Sequence, residues 1–245
     1  MLKCITWINM NFKLVTSLNK RLYEHKAQQL VDSAIDMSYP LDIYHENSYE
    51  NVQIDFPDNV NPIDLWQLPQ YSFWIDNFIN SENCPWNMPS QHRGVLKKQQ
   101  AKFWFRKVLS ISHAILNAKT EYVIWCDGDA HFRTSFDDKF WKFVSQYNIS
   151  CIYRDVPHIE SGFVVYKVND HVKKLMREYM GYYLTGDVWN YPRWCDGSVL
   201  TYLLKGEKIG KFKNKEYDKS DTSDFDISYY FNHIKDPFKE VRDKE

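Results

Sequence analysis

The sequence has no long apolar run and no excess of charge of one sign, and each absence excludes a class of protein. No stretch approaches the roughly 20 apolar residues that a membrane-spanning helix requires. The formal net charge is −1 at pH 7, so the charge balance offers no basic footprint for nucleic acid. Residues 1–11 are too short and too rich in Asn for a secretory signal. We therefore expect neither a membrane span nor a nucleic-acid partner.

Cysteine is scarce and scattered. The five cysteines show no Cys-x-x-Cys spacing, and they are Cys4, Cys84, Cys126, Cys151 and Cys195. Neither a disulfide framework nor a zinc site follows from such a pattern, and a reducing compartment is the simpler interpretation. The sequence thus predicts a cytoplasmic protein.

Aromatic residues, by contrast, make up 17% of the chain. Tyr and Trp fill cores, and their amphipathic rings can also stack on sugars and bases. A chain of 245 residues without internal repeats is long enough for a sizeable core. We expect a single domain over residues 1–245.

The chain is organised around residues 122–132. The apolar run Tyr122–Cys126 predicts a strand buried on both faces. Asp127, Gly128 and Asp129 follow it, and the glycine permits a sharp turn and close approach of a ligand. In open α/β sheets ligands bind at the carboxyl ends of strands, where two carboxylates can hold Mg²⁺ or Mn²⁺. The alternative is a polar turn that only closes the strand.

Strands and helices alternate along the chain, which predicts an α/β fold with a mostly parallel central sheet and helices on both faces. Strands are expected at 3–10, Leu41–His45, 122–126, 150–154, 158–166 and, as strand or turn, 225–231. Helices are expected from a cap at Thr16 or Ser17 to residue 35, then at 95–116 and 136–144, after a cap at Asn169, and at 198–204. The proline-rich residues 47–94 interrupt this pattern, and we interpret them as an insertion with one short helix near 71–79.

Several polar residues stand out beside this scaffold. Lys98, Lys102 and Arg106 recur every four residues on helix 95–116, with Lys107 adjoining; such a row is either a solvated face or a diphosphate contact. Asp196 precedes helix 198–204, where a carboxylate is also favoured by the helix dipole alone.

Four of these elements, in this order, resemble the glycosyltransferases of the GT-A fold, which move a sugar from a nucleotide diphosphate. Asp127-Gly128-Asp129 resembles the DxD motif, and Ser161-Gly162 resembles the glycine loop on the acceptor side. Cys195-Asp196 is similar to the xED motif, although Cys195 departs from the usual neighbour. His233 resembles the C-terminal metal-binding histidine, and Lys235 follows it at a shorter spacing than in glycogenin-like enzymes.

The resemblance implies a Rossmann-like GT-A domain and a metal-dependent transfer to a glycan or other hydroxyl acceptor, with a UDP-sugar as the first expectation for the donor. Asp127, Asp129 and His233 would hold Mn²⁺ or Mg²⁺, which acts as a Lewis acid on the leaving diphosphate. Asp196 would be the base or positioning carboxylate for the acceptor. Donor contacts are expected from Asp127, Gly128, Arg106, Lys107, Lys235 and Glu46, and acceptor-side contacts from Ser161 and Gly162. Whether the transfer retains or inverts the configuration at the anomeric carbon is left open.

Three other interpretations stay open. A nucleotidyltransferase also grips a nucleoside diphosphate through metal-bound Asp residues, and a non-catalytic sugar- or nucleotide-binding relative could keep the fold without the activity. A haloacid-dehalogenase-like phosphatase also has Asp-x-Asp after a strand, but His131 and the mid-chain position argue against it.

Overall fold

The computed structural model describes residues 10–79, 98–153, 159–191, 195–213 and 225–233; the side chains of residues 98–101 and 233 lie outside this description. An eight-stranded sheet has the order β3-β2-β1-β4-β7-β6-β8-β9. Its strands are β1 Phe12–Leu18, β2 Leu41–His45, β3 Val60–Asp64, β4 Tyr122–Cys126, β6 Ile149–Ile152, β7 Glu160–Lys167, β8 Gly210–Lys213 and β9 Phe225–Asp226. Only β7 runs against the others, since it pairs antiparallel with both β4 and β6.

A second, two-stranded sheet joins β5 Ala130–Phe132 to β10 Phe231–His233 in antiparallel register. The helices are α1 Lys20–Leu22, α2 Gln28–Asp36, α3 Asn47–Glu50, α4 Pro69–Trp74, α5 Lys98–Leu116, α6 Asp138–Val144, α7 Asp170–Leu184 and α8 Asp196–Leu203. Tyr23–Ala27 and Ile75–Ile79 are π-helical turns. None of the helices in the described ranges is long and apolar enough to cross a bilayer.

Alternating strand residues bury the two faces of the main sheet against different helices. Val15, Val123 and Val164 point into a core shared with α4, α5, α7 and α8. Leu14 and Ile124 point into a second core shared with α2, α6 and the small sheet. Helices therefore cover both faces, as predicted from the alternation of elements.

The prediction that Tyr122–Cys126 is a central strand is confirmed. All five residues are buried, and β4 lies between β1 and β7. The strand Leu41–His45 is confirmed with its bounds, and Asn169 caps α7 by accepting a hydrogen bond from the backbone N of Val172 at 2.9 Å. Helix α5 is confirmed from Lys98 onward; residues 95–97 lie outside the described part.

The predicted helix cap at Thr16 or Ser17 was wrong. The first described strand is Phe12–Leu18, so Thr16 and Ser17 are buried strand residues and do not cap a helix. The cap is Asn19, whose side chain accepts from the backbone N of Leu22 at 2.9 Å. Residues 3–9 of the expected first strand lie outside the described residues.

Residues 47–79 are not a simple insertion. Val60–Asp64 adds the edge strand β3 parallel to β2, with Ile43 opposite Pro62. Proline is tolerated there because an edge strand leaves one side of its backbone without ladder partners. The short helix expected near 71–79 is present as α4 and the π-helical turn after it, and residues 80–94 are not described.

Candidate active site

A cavity of about 520 Å³ lies at the carboxyl ends of β1 and β4. In the sheet, β2, the next strand along the chain, lies on one side of β1, and β4 lies on the other side. The cavity therefore lies at the point between β1 and β4 where the strand order reverses. This is the position at which open α/β sheets bind ligands. The lining residues are Ser17, Leu22, Phe103, Trp104, Arg106, Lys107, Trp125, Asp127, Gly128, Asp129, Ile159, Glu160, Ser161, Cys195, Asp196 and Gly197.

Asp127 is held at the end of β4 by one hydrogen bond to the neighbouring strand β7 and one from a residue of its own strand. Its backbone N donates to the carbonyl of Gly162 at 2.8 Å, and the indole Nε1 of Trp125 donates to its Oδ1 at 2.8 Å. Gly128 packs against the N-terminal helical region, because a Cβ there would come 3.0 Å from Leu22. The Asp pair is therefore held on both sides and faces the cavity.

Lys107 connects three elements inside the cavity. Its ammonium lies 2.7 Å from Asp127 Oδ1 and 3.0 Å from Asp196 Oδ2, and it donates to Ser161 Oγ at 3.1 Å. Burial acts to lower the pKa of Lys107, but the two carboxylates outweigh it and hold the pKa above its ordinary value. Lys107 is thus a permanent positive charge at the base of the site.

Asp196 is the first residue of α8 and is buried. Besides the contact with Lys107, its Oδ2 accepts a short hydrogen bond from Ser161, and Tyr179 donates to its backbone carbonyl at 2.8 Å. The catalytic role of Asp196 stays a prediction. Its geometry is that of a side chain that anchors Lys107.

Glu46 lies away from the cavity lining and has no exposed surface. Its carboxylate pairs with Arg106 Nη1 at 2.7 Å and with Lys102 Nζ at 3.2 Å, and it accepts from the hydroxyl of Tyr71. Burial alone would raise the pKa of Glu46, but Arg106 and Lys102 lower it below its ordinary value. Glu46 is thus a buried charge that reaches the site through Arg106, which lines the cavity.

The C-terminal strand returns to the Asp pair. β10 pairs with β5, and His233 lies opposite Ala130, the residue that follows Asp129. The backbone of His233 is therefore near the strand end, although it lies 104 positions after Asp129 in the sequence. Its imidazole and Lys235 lie outside the description, so their predicted roles stay predictions.

The residues present fit a divalent cation. Asp127 and Asp129 are both half-buried and line one cavity, and carboxylate oxygens are the ligands that Mg²⁺ and Mn²⁺ prefer. Among the side chains described, no group of three His, Cys, Asp or Glu is placed to hold a metal. The third ligand that the sequence predicts is the imidazole of His233, which that description does not include.

The structure brings most of the predicted residues together. One cavity is lined by Arg106, Lys107, Asp127, Gly128, Asp129, Ser161 and Asp196. Glu46 and Gly162 do not line it, but they hydrogen-bond to Arg106 and Asp127, which do. Sequence reasoning missed Glu160 and Trp125. Glu160 carried a usable signal, since it is an acidic residue directly before the small-residue turn Ser161-Gly162.

Comparison with known proteins finds similarity of fold to solved structures. No family model and no curated protein matches the sequence. Among solved structures, the crystal structure of mouse xyloside xylosyltransferase 1 in its apo form is similar at 13% identity, with a TM-score of 0.49. The likeness covers 82% of this chain and 84% of that chain.

Proposed function

We propose that the protein is a metal-dependent glycosyltransferase that moves a sugar from a nucleotide diphosphate, in the first instance a UDP-sugar, to a hydroxyl acceptor. The observation that carries the proposal is the shared cavity: Asp127 and Asp129 face the same space as Arg106, Lys107 and Asp196. Such a site can bind a cation and, through it and the two basic residues, the diphosphate of a donor.

The cation would be held by Asp127, Asp129 and, through the return of β10, His233. When bound, Mn²⁺ or Mg²⁺ would neutralise the charge that grows on the diphosphate as the glycosyl bond breaks. Mn²⁺ suits a site with two carboxylates and an imidazole.

The protein's own cations complement that charge. Arg106 is buried at the cavity wall with its guanidinium fixed by Glu46, so its position is set before a ligand arrives. Lys107 is fixed in the same way by Asp127 and Asp196. Fixed cations require little reorganisation when charge develops, which is the source of electrostatic stabilisation in active sites. Lys235, two residues beyond β10, is proposed to join them.

The location of the nucleoside follows from the topology. Ser17 at the end of β1 and Leu22 of α1 line the part of the cavity at the strand-order reversal. The nucleoside is expected on that side. The acceptor is then expected on the opposite side, near Ser161 and Gly162 of β7.

A panel of nucleotide sugars tests the proposal directly. Thermal unfolding of the protein is followed with UDP-glucose, UDP-galactose, UDP-xylose or GDP-mannose, each with Mn²⁺ and with EDTA. A bound donor raises Tm by mass action, so one donor should stabilise the protein only when Mn²⁺ is present. Slow release of UDP or GDP from the same donor would then identify a transferase. A panel without any Mn²⁺-dependent shift would contradict the proposal.

A further inference from the structure

We propose that Glu160 is the carboxylate that takes the proton of the acceptor hydroxyl, and that Asp196 instead positions Lys107. The inference rests on the proposed sugar transfer and adds a catalytic residue to it. It moves the role of base away from Asp196, the residue that the sequence predicts for it.

Four carboxylates of described residues line the cavity: Asp127, Asp129, Glu160 and Asp196. The first two stand together at the end of β4, where a cation is expected. Asp196 is only 7% exposed, and its Oδ2 already receives both the ammonium of Lys107 and the hydroxyl of Ser161. That oxygen is already occupied by two protein donors, so an acceptor hydroxyl would have to displace one of them to reach it.

Glu160 is more exposed than Asp196 and lies on a different element of the cavity wall. It is the first residue of β7, it is half-buried, and it lines the cavity. The strand order is β1-β4-β7, so β4 separates Glu160 on β7 from Ser17 on β1. Glu160 therefore lies on the side of the cavity away from the expected nucleoside. A partly exposed carboxylate on the acceptor side is suited to meet an incoming hydroxyl.

The residues on both sides of Glu160 are hydrogen-bonded to α8. The backbone N of Ile159 donates to Thr201 Oγ1 at 2.8 Å, and Ser161 bonds to Asp196. Gly197 lets the strand approach, since a Cβ there would lie 2.5 Å from the carbonyl oxygen of Ile159. Glu160 is therefore carried by a fixed strand start, which is the kind of support that a catalytic carboxylate needs.

The acceptor oxygen forms a bond to the anomeric carbon of the donor sugar, and its proton passes to the Glu160 carboxylate. The bond from that carbon to the diphosphate oxygen breaks, and its electron pair leaves on the nucleoside diphosphate. Water can replace the acceptor alcohol in the same step, which yields slow hydrolysis of the donor.

The test uses water and azide as acceptors, so that no natural acceptor needs to be known. Glu160→Gln keeps the size of the side chain and removes its charge. We expect Mn²⁺-dependent donor binding to be unchanged and kcat for donor hydrolysis to fall by about 100-fold or more, the usual contribution of a general base. The exposed Glu178→Gln on α7 is the matched control and should hydrolyse the donor at the wild-type rate.

Azide distinguishes a chemical role from a structural one. Azide is already anionic and needs no base, so Glu160→Ala should form the glycosyl azide from the donor at about the wild-type rate although it hydrolyses the donor about 100-fold more slowly, whereas Asp196→Ala, which loses the partner of Lys107, should be slow with both acceptors. Mass spectrometry detects the product. An azide rate in Glu160→Ala that falls as far as its hydrolysis rate, loss of donor binding in Glu160→Gln, or a wild-type azide rate in Asp196→Ala together with slow hydrolysis would each overturn the assignment. A wild type that binds no nucleotide sugar would instead reject the transferase function, and the assignment with it.

Discussion

The ammonium of Lys107 lies 2.7 Å from Oδ1 of Asp127, and this contact joins the middle of α5 to the end of the central strand. Both residues line the candidate active site. The same ammonium also reaches Asp196 on α8. Three elements that are distant in the sequence are thus tied together by one buried charge.

Removing that charge should destabilise the fold. Lys107→Met leaves Asp127 and Asp196 close together without their shared cation, and breaking a buried ion pair costs about 3–5 kcal/mol. Urea unfolding followed by circular dichroism measures the loss. Lys174→Met on the exposed face of α7 is the control and should change stability by no more than about 0.5 kcal/mol. A loss for Lys107→Met as small as that of the control would contradict the geometry.

Gly197 should not tolerate a methyl group. A Cβ would lie 2.5 Å from the backbone oxygen of Ile159, so Gly197→Ala must push α8 away from β7 and should cost about 1–3 kcal/mol. Gly181→Ala in α7 is the matched control, because nothing lies within 4 Å of its added Cβ. That control should stabilise the protein by roughly 0.4–1 kcal/mol. The two free energies of unfolding should thus change with opposite sign.

Glu46 should make stability depend on acid pH. Its pKa is lower in the folded protein than the ordinary 4.5, so its contribution is complete above pH 4.5 and is lost as pH falls through the folded pKa. Glu46→Gln should therefore be less stable than wild type at pH 7, and the difference should shrink below pH 4.5. A difference in unfolding free energy that stays constant between pH 7 and pH 3 would show that Glu46 is not charged in the fold.

His233 should support the cation from the C-terminal side. Its strand pairs with the residue after Asp129, so His233→Ala is expected to weaken Mn²⁺ binding and to slow transfer by about 10–100-fold. Truncation before Phe231 should act similarly. The half-exposed His171→Ala on α7 is the control and should leave both quantities unchanged. Wild-type Mn²⁺ affinity in His233→Ala would remove the histidine from the site.

The sequence reveals the parts of this fold whose residues are buried on both faces. Tyr122–Cys126 is a short apolar run, Leu41–His45 combines Leu, Ile and Tyr with two polar residues, and the structure has both strands with the predicted bounds. Phe12–Leu18 was missed because Thr16 and Ser17 resemble a helix cap, whereas both are buried between neighbouring strands. The edge strand Val60–Asp64 was missed because Asn61 and Pro62 hide its alternation.

The candidate site likewise has residues that the sequence reveals and contacts that it does not. The Asp pair is visible because it ends an obvious strand, but Arg106 and Lys107 could not be told apart by spacing. Arg106 binds Glu46, 60 residues earlier, and Lys107 binds Asp127, 20 residues later. Such partners are set by the packing of α5 across the sheet, which no local pattern encodes. The burial of Asp196 and the exposure of Glu160 depend likewise on how α8 docks against β7.

Calorimetric titration of UDP into the protein in Mn²⁺, repeated in EDTA and with Asp129→Asn, tests most directly whether the Asp pair binds metal and donor. We expect UDP to bind the wild type in Mn²⁺ and EDTA to abolish the binding. Asp129→Asn should lose the binding while its thermal unfolding stays close to that of the wild type, because a half-buried carboxylate at a strand end contributes little packing. UDP binding of equal affinity in EDTA, or in Asp129→Asn, would contradict the assignment of the Asp pair as the metal and donor site.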